Sequence, residues 1–150
     1  MAFADRKIQR PIRILLVEDN LGDVTLITEV FKDSKRDIRI HRVKDGEEAL
    51  DFLYRRGRFA GEERPDLILL DLNMPRKSGH EVLSEVKADP TFKDIPIVVL
   101  TNSKQEIDVQ KAYESRANFY LVKPTDLNEL FVAMRYVEDI WLRSVAAEAD

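Results

Sequence analysis

The sequence contains no cysteine and has only two histidines, His41 and His80. The lack of cysteine excludes disulfides, thiol catalysis and cysteine-ligated zinc or iron–sulfur clusters, and two histidines are too few for a multi-histidine metal site. No apolar run approaches the roughly 20 residues that a membrane-spanning helix needs. Residues 1–10 also lack the apolar segment of a secretory signal. We therefore expect a protein without a membrane partner and with a cytoplasmic location.

The chain does contain an ordinary mixture of apolar and charged residues. Of its 150 residues, 44% are hydrophobic and 35% are charged, and the formal net charge is −4. This length predicts a single domain, to which we assign residues 12–145, with a flexible N-terminal arm at 1–11 and an acidic tail at 146–150. The arginine-rich stretch 55–64 also contains glutamate, and the negative net charge does not favour nucleic acid as a partner.

The stretch from Asp66 to Pro75 organises the rest of the chain. It opens with a run of leucine and isoleucine, which is typical of a central parallel strand buried on both faces. Pro75 has no N–H to donate to a sheet, so the strand must end near Asp71. Asp71 is therefore predicted at the carboxyl end of a central strand, the edge at which open α/β sheets bind their ligands.

Strand and helix patterns alternate five times along the chain. Apolar or alternating runs predict strands at 12–17, 38–43, 66–71, 95–101 and 118–122. Apolar residues at helical spacing predict helices at 21–34, 47–56, 78–89, 105–113 and 126–145. This alternation predicts a doubly wound α/β fold of the flavodoxin-like type, with five parallel strands in the order 2-1-3-4-5 and an extended C-terminal helix.

Residues that bind cations or phosphate are concentrated at the ends of these strands. In chain order they are Glu18, Asp19, Asp71, Asn73, Thr101 and Lys123. Because the carboxyl ends of parallel strands share one edge, three carboxylates are expected to meet in one pocket. Their mutual repulsion requires either a protonated acid or a bound cation. With oxygen donors alone and few ligands, Mg²⁺ is favoured over Ca²⁺.

The same edge brings a lysine and a hydroxyl group to Asp71. A cation, Lys123 and Thr101 would neutralise the charge of a phosphoryl group during its transfer, and Asp71 would attack it to form an aspartyl phosphate. One alternative is a Mg²⁺-dependent phosphohydrolase, although Asn73 stands two residues after Asp71, where a general acid would be needed. Another alternative is an interaction module that works without phosphorylation, in which this pocket is vestigial.

At these residues the chain resembles the receiver domain of two-component response regulators. The resemblance spans about residues 12–142 and rests on Gly79 and on the segments 17–20, 70–75, 99–101 and 123–124. The long connection at 55–65 and the last helix with its Trp141 resemble stand-alone regulators that pair with bacterial phytochromes. The resemblance implies a phosphorelay domain that is not an enzyme, accepts a phosphoryl group from a sensor histidine kinase and undergoes some autodephosphorylation.

The resemblance also implies how the phosphoryl group and the metal are bound. Asp71 would be the phosphoryl acceptor. Mg²⁺ would be bound directly by Asp19 and Asp71, through water by Glu18, and by the backbone carbonyl of Asn73.

Three further residues would carry the signal, again by resemblance. Lys123 would pair with the phosphoryl group, and Thr101 would move towards its oxygens. Tyr120 would turn inward with Thr101 as an aromatic switch. The face formed by the fourth helix, the fifth strand and the last helix would then change its affinity for a target.

The last predicted helix carries two apolar stripes. One stripe, expected to pack on the sheet, consists of Leu127, Leu130, Phe131, Met134 and Trp141, and the other consists of Val132, Tyr136 and Ile140. A helix that is apolar on two sides has a second contact partner. The second stripe covers neighbouring loops or forms an interface, and we favour a homodimer through the fourth helix, the fifth strand and the last helix.

Overall fold

A five-stranded parallel sheet forms the centre of the molecule. The structure is a computed structural model that describes residues 10–72, 74, 77–101, 119–123 and 126–149, and for residues 101, 120 and 140–149 it describes the backbone alone. The strands span Ile12–Val17 (β1), Ile38–Val43 (β2), Leu67–Asp71 (β3), Ile97–Thr101 (β4) and Phe119–Val122 (β5). All neighbouring pairs are parallel and the order is β2-β1-β3-β4-β5, which confirms the predicted doubly wound sheet.

In the described part of the chain, four α-helices and one 3₁₀ turn accompany the strands. They span Leu21–Lys32 (α1), Gly46–Leu53 (α2), Gly79–Ala88 (α3) and Leu127–Ala149 (α4), with the turn at Gly57–Phe59. In the first turn of each helix, a backbone N–H donates to a side-chain oxygen of the residue before the helix, namely Asn20, Asp45, Ser78 or Asp126. None of these described helices has the length and apolar character that crossing a bilayer requires.

The ends of α1 and α3, at Lys32 and Ala88, lie within two residues of the predicted ends, whereas two helices differ by three or more residues. Helix α2 ends at Leu53, three residues before the predicted end at Arg56. Arg55 has a φ of +58°, in the left-handed region, and a helix cannot continue through that conformation. Helix α4 continues past its predicted end near position 145 to Ala149, because the alanines and glutamate of that segment have high helix propensity.

The start of β4 also differs from the prediction. The strand begins at Ile97 rather than at Ile95. The N–H of Ile95 donates to the carbonyl of Phe92 at 3.0 Å, so this residue closes a turn instead of entering the sheet. The predicted fourth helix at 105–113 lies outside the described residues.

Helices cover both faces of the sheet. On one face α1 and α4 pack against the central strands through Ile27, Val30, Phe31, Leu130, Met134 and Val137. On the other face α2 and α3 pack through Leu50, Leu53, Val82, Leu83 and Val86. The central strands are buried on both faces, which explains why their sequences are continuous apolar runs rather than alternating ones.

The two stripes of α4 are exposed to different degrees. In the stripe predicted to face the sheet, Leu130 and Met134 are buried, but Leu127 is 49% exposed because it is the first residue of the helix. In the second stripe, Val132 is 71% and Tyr136 is 57% exposed. The described part of the chain therefore leaves an apolar surface open on the outer side of α4.

Replacing Leu69 in β3 by alanine is expected to lower the free energy of unfolding by about 3 kcal/mol. Leu69 is 0% exposed and packs in the layer under α1 and α4, so the substitution removes buried surface and leaves a cavity. Urea denaturation measures the change. Leu21→Ala, at a 68% exposed position, is the control and should change stability by less than about 0.5 kcal/mol. Equal effects of the two substitutions would contradict the assigned core.

Candidate phosphoryl and metal site

The carboxyl ends of β1, β3, β4 and β5 meet at one edge of the sheet. Their registers pair Val17 with Leu70, Asp71 with Leu100, and Thr101 with Val122. These pairs are the last or next-to-last residues of their strands, so the residues that follow them emerge side by side. The sheet therefore brings Glu18 and Lys123 to the same edge as Asp71.

Three carboxylates form a cluster at this edge. One oxygen from each of Glu18, Asp19 and Asp71 lies within 4.8 Å of the others. Glu18 is 0% exposed and Asp71 is 4% exposed, whereas Asp19 is open to solvent. Carboxylate oxygens are the ligands that hard divalent cations such as Mg²⁺ prefer. The cluster therefore fits a small divalent cation that enters from the side of Asp19.

Lys123 lies directly against this cluster. Its ammonium nitrogen Nζ donates to Glu18 Oε1 and to Asp23 Oδ2, the latter at 3.0 Å, and is 3.5 Å from Asp71 Oδ2. The side chain of Lys123 is 8% exposed, so these interactions are largely shielded from water. The positive charge of the site is therefore held within reach of any group attached to Asp71.

The surroundings of the pocket shift the pKa values of Glu18 and Lys123 upward. Desolvation raises the pKa of the Glu18 carboxyl to about 7, a shift that the hydrogen bond from Lys123 opposes and the neighbouring Asp71 increases. Burial lowers the pKa of the Lys123 ammonium, but its contacts with Glu18, Asp23 and Asp71 raise it by more, so the net shift is upward. Lys123 thus stays charged, and the carboxylates carry more negative charge than one ammonium balances.

Arg42 and Asn20 stabilise the loop after β1. The sequence alone did not assign this role to them. Arg42, near the end of β2, donates from Nε to the carbonyl of Glu18 at 2.8 Å and from Nη2 to that of Asp19 at 3.2 Å. The backbone N–H of Asn20 donates to Glu18 Oε2 at 3.2 Å, and the side chain of Asn20 caps α1. These bonds fix the backbone of Glu18 and Asp19, and the bond from Asn20 also orients the side chain of Glu18.

A glycine packs against the backbone of the candidate phosphoryl acceptor. Gly79 is the first residue of α3, and its N–H donates to the carbonyl of Leu72 at 3.2 Å. A Cβ atom at Gly79 would lie 2.4 Å from the carbonyl oxygen of Asp71 and 2.6 Å from the Cα of Leu72. Any side chain would push the strand end away from α3, so this close approach fixes the position of Asp71.

The structure brings together four of the residues selected from the sequence, namely Glu18, Asp19, Asp71 and Lys123. The backbone of Thr101 ends β4 at the same edge and Tyr120 lies within β5, but neither side chain is among those described. Asn73 lies outside the described residues. The roles expected of these three residues therefore stay predictions.

Asp23 is a member of this site that sequence reasoning missed. It lies in the first turn of α1, where an acid is ordinarily explained by its interaction with the helix dipole. The available signal was an acidic residue in the first turn of the helix that directly follows Glu18 and Asp19.

A family and several individual proteins are similar to this chain. The response regulator receiver domain family matches residues 14–135. Response regulator Rcp1 of Synechocystis sp. is 45% identical over 139 residues, which cover 93% of this chain and 95% of Rcp1. The likeness to Rcp1 therefore spans nearly the full length of both chains.

Solved structures agree with this sequence similarity. The crystal structure of the phosphorylated cyanobacterial phytochrome response regulator RcpA superposes with a TM-score of 0.85 at 44% identity, covering 90% of this chain and 96% of RcpA. The Mn²⁺-bound form of Rcp1 superposes with a TM-score of 0.82 at 46% identity, covering 88% of this chain and 95% of Rcp1. The similarity thus extends to the fold and covers most of this chain.

Proposed function

The chain belongs to the response regulator receiver domain family, and we propose that it is a single-domain response regulator whose phosphoryl acceptor is Asp71. The observation that carries this assignment is the position of Asp71 at a sheet edge, as a member of an acidic cluster and 3.5 Å from the ammonium of Lys123. A carboxylate in that position has both a cation site and a fixed positive charge next to it. This is the arrangement that phosphoryl transfer to a carboxylate requires.

The residues that would hold the metal are Asp19, Asp71, Glu18 through water, and the backbone carbonyl of Asn73. We propose Mg²⁺ as the metal because all of these donors are oxygens and the cluster offers few ligands. When bound, the ion supplies positive charge that offsets the phosphoryl oxygens. A Mn²⁺-bound form of the relative Rcp1 has been crystallised, which supports a divalent cation at the matching site of this chain.

Asp71 would act as the nucleophile. One of its carboxylate oxygens attacks the phosphorus of a phosphohistidine on a sensor kinase, the phosphorus–nitrogen bond breaks, and the imidazole leaves with the electron pair of that bond. An acyl phosphate forms on Asp71. Lys123, already 3.5 Å from the carboxylate, then pairs with the additional negative charge.

The phosphoryl group would shift the chain between two conformations. We propose that Thr101 moves towards the phosphoryl oxygens and that Tyr120 turns inward, as the family resemblance implies. The two strands that carry these residues are adjacent, so a change at Thr101 reaches β5 directly. The outer face of β5 and α4 would then present a different surface to its target.

The proposed donor is a sensor histidine kinase of the bacteriophytochrome type, and the proposed location is the cytoplasm, where such kinases obtain ATP. The similarity to the phytochrome response regulator RcpA supports this pairing. We do not propose nucleic acid as a partner, because the chain carries a net charge of −4.

Phosphorylation of the purified protein by acetyl phosphate is expected to require Mg²⁺. Intact mass spectrometry should detect one added phosphoryl group with Mg²⁺ and none when the metal is removed by a chelator. The physical reason is that Asp71 cannot approach an anionic donor while the neighbouring carboxylates remain uncompensated. Equal labelling with the chelator would contradict the role of the metal. No labelling in either condition would favour an interaction module that works without phosphorylation.

We further propose a homodimer through the predicted fourth helix at 105–113, β5 and the outer face of the last helix, α4. Its apolar surface would consist of Val132 and Tyr136 on α4 together with Phe119 and Val122 on β5, the latter two each 38% exposed. Such an apolar patch is commonly closed by a two-fold axis.

Sedimentation at a concentration on the order of tens of micromolar is expected to show a dimer. Tyr136→Glu places a charge in the patch and should yield a monomer. Arg39→Glu, at a side chain that is 65% exposed on the edge strand β2, is the matched control and should remain dimeric. A monomer for the wild type, both with and without phosphorylation, would contradict the dimer.

A further inference from the structure

Lys123 has one acidic partner outside the carboxylate cluster. Besides Glu18 and Asp71, its Nζ binds Asp23 Oδ2 at 3.0 Å. Glu18 and Asp71 belong to the group of carboxylates that lie within 4.8 Å of one another, and among the described residues Asp23 is not part of that group. A cation in the cluster would therefore compete with Lys123 for two of its partners and leave the third, Asp23, unchanged.

Asp23 is held rigidly enough to act as an anchor. Its backbone N–H donates to Asn20 Oδ1 at 3.0 Å, and it lies in the first turn of α1, a helix fixed to the core by Ile27, Val30 and Phe31. The side chain of Asp23 is 32% exposed and that of Lys123 is 8% exposed, so water screens the contact only in part. The bond joins α1 to the end of β5 across 100 residues of sequence.

A cation beside Asp71 repels the ammonium of Lys123, because both are positive and close together. Lys123 nevertheless has to remain beside Asp71 if it is to pair with a phosphoryl group there. We propose, on the basis of the function proposed above, that Asp23 is a positioning residue that holds the ammonium of Lys123 beside Asp71 while the cation and the phosphoryl group are bound.

A simple effect of charge predicts the opposite result from a positioning effect. If Asp23 acted only through its negative charge, its removal would strengthen the binding of an anion in the pocket. If Asp23 holds Lys123 in place, its removal weakens anion binding, because the ammonium is no longer presented to the anion. The sign of the change in affinity therefore separates the two effects.

The probe is beryllofluoride, a phosphoryl mimic, titrated at saturating Mg²⁺ and followed by the amide NMR signals. Asp23→Asn is expected to raise the apparent Kd about tenfold, the loss of one charged hydrogen bond. Asp23→Glu, which keeps the carboxylate, should recover most of the affinity. Glu29→Gln is the control on the same helix, with a side chain that is 60% exposed, and should bind as the wild type does.

A second measurement needs neither metal nor mimic. The Cε and Hε signals of Lys123, identified by their absence in Lys123→Met, should shift in Asp23→Asn and stay in place in Glu29→Gln. Unshifted Lys123 signals, or beryllofluoride binding in Asp23→Asn that equals or exceeds that of the wild type, would overturn the positioning role. If Lys123→Met itself binds beryllofluoride as tightly as the wild type, the proposed function fails as well.

Discussion

Asp71→Asn is expected to abolish phosphorylation by acetyl phosphate completely and to leave the fold intact. The amide has no anionic oxygen to attack phosphorus, so no acyl phosphate forms. Asparagine has nearly the same size and shape as aspartate, and the carboxylate it replaces lies in a pocket with excess negative charge, so we expect no loss of stability. Intact mass spectrometry in the presence of Mg²⁺ measures the extent of phosphorylation.

Asp51→Asn is the matched control for this experiment. Asp51 lies in α2 with a side chain that is 44% exposed, and it pairs with Arg56 at 3.4 Å rather than with any residue of the site. The control should be phosphorylated to the same extent as the wild type. Full labelling of the Asp71→Asn variant would show that another residue accepts the phosphoryl group and would refute the assignment.

Lys123→Met is expected to lower the free energy of unfolding of the metal-free protein by about 3 kcal/mol. The substitution keeps the length of the side chain but removes the cation from between Glu18, Asp23 and Asp71. The buried carboxylates then lose the ammonium that offsets their negative charge. In saturating Mg²⁺ the loss should be much smaller, because the bound ion supplies positive charge to the same carboxylates.

The loss of stability that Lys123→Met causes in the metal-free protein should also depend on pH. Glu18 has a pKa near 4.5 when unfolded and a raised pKa of about 7 when folded, so the folded state binds a proton that the unfolded state lacks. The stability that this proton contributes is lost as the pH rises through the folded pKa. Without Lys123 this pKa rises further, so the cost of the substitution should increase as the pH rises above about 7.

Urea denaturation with and without Mg²⁺ measures the effect of Lys123→Met. Lys32→Met, at a side chain in α1 that is 67% exposed, is the control and should change stability by less than about 0.5 kcal/mol. An equal loss with and without Mg²⁺ would contradict a shared role of the lysine and the cation. We also expect Lys123→Met to retain some phosphorylation but to lose the conformational response to beryllofluoride.

Local sequence patterns were sufficient to predict the strands of the sheet but not every end of a helix. The apolar runs at 12–17 and 67–70 predicted the two central strands because burial on both faces demands such runs. The end of α2 was missed because the positive φ of Arg55 follows from the packing of the next turn and has no signature in an arginine. The exposure of Leu127 was missed because helical periodicity identifies the face of α4 that is turned to the sheet but not the residue at which contact with the sheet begins.

The sequence by itself determined which residues stand at the strand ends. Glu18, Asp19, Asp71 and Lys123 follow or end apolar runs, and chain order in a parallel sheet brings them to one edge. Only the tertiary structure decided which partners these residues contact. The bonds from Lys123 to Asp23 and from Arg42 to the carbonyls of Glu18 and Asp19 join distant parts of the chain. Their formation depends on the register of the sheet and the placement of α1, which periodicity and composition do not encode.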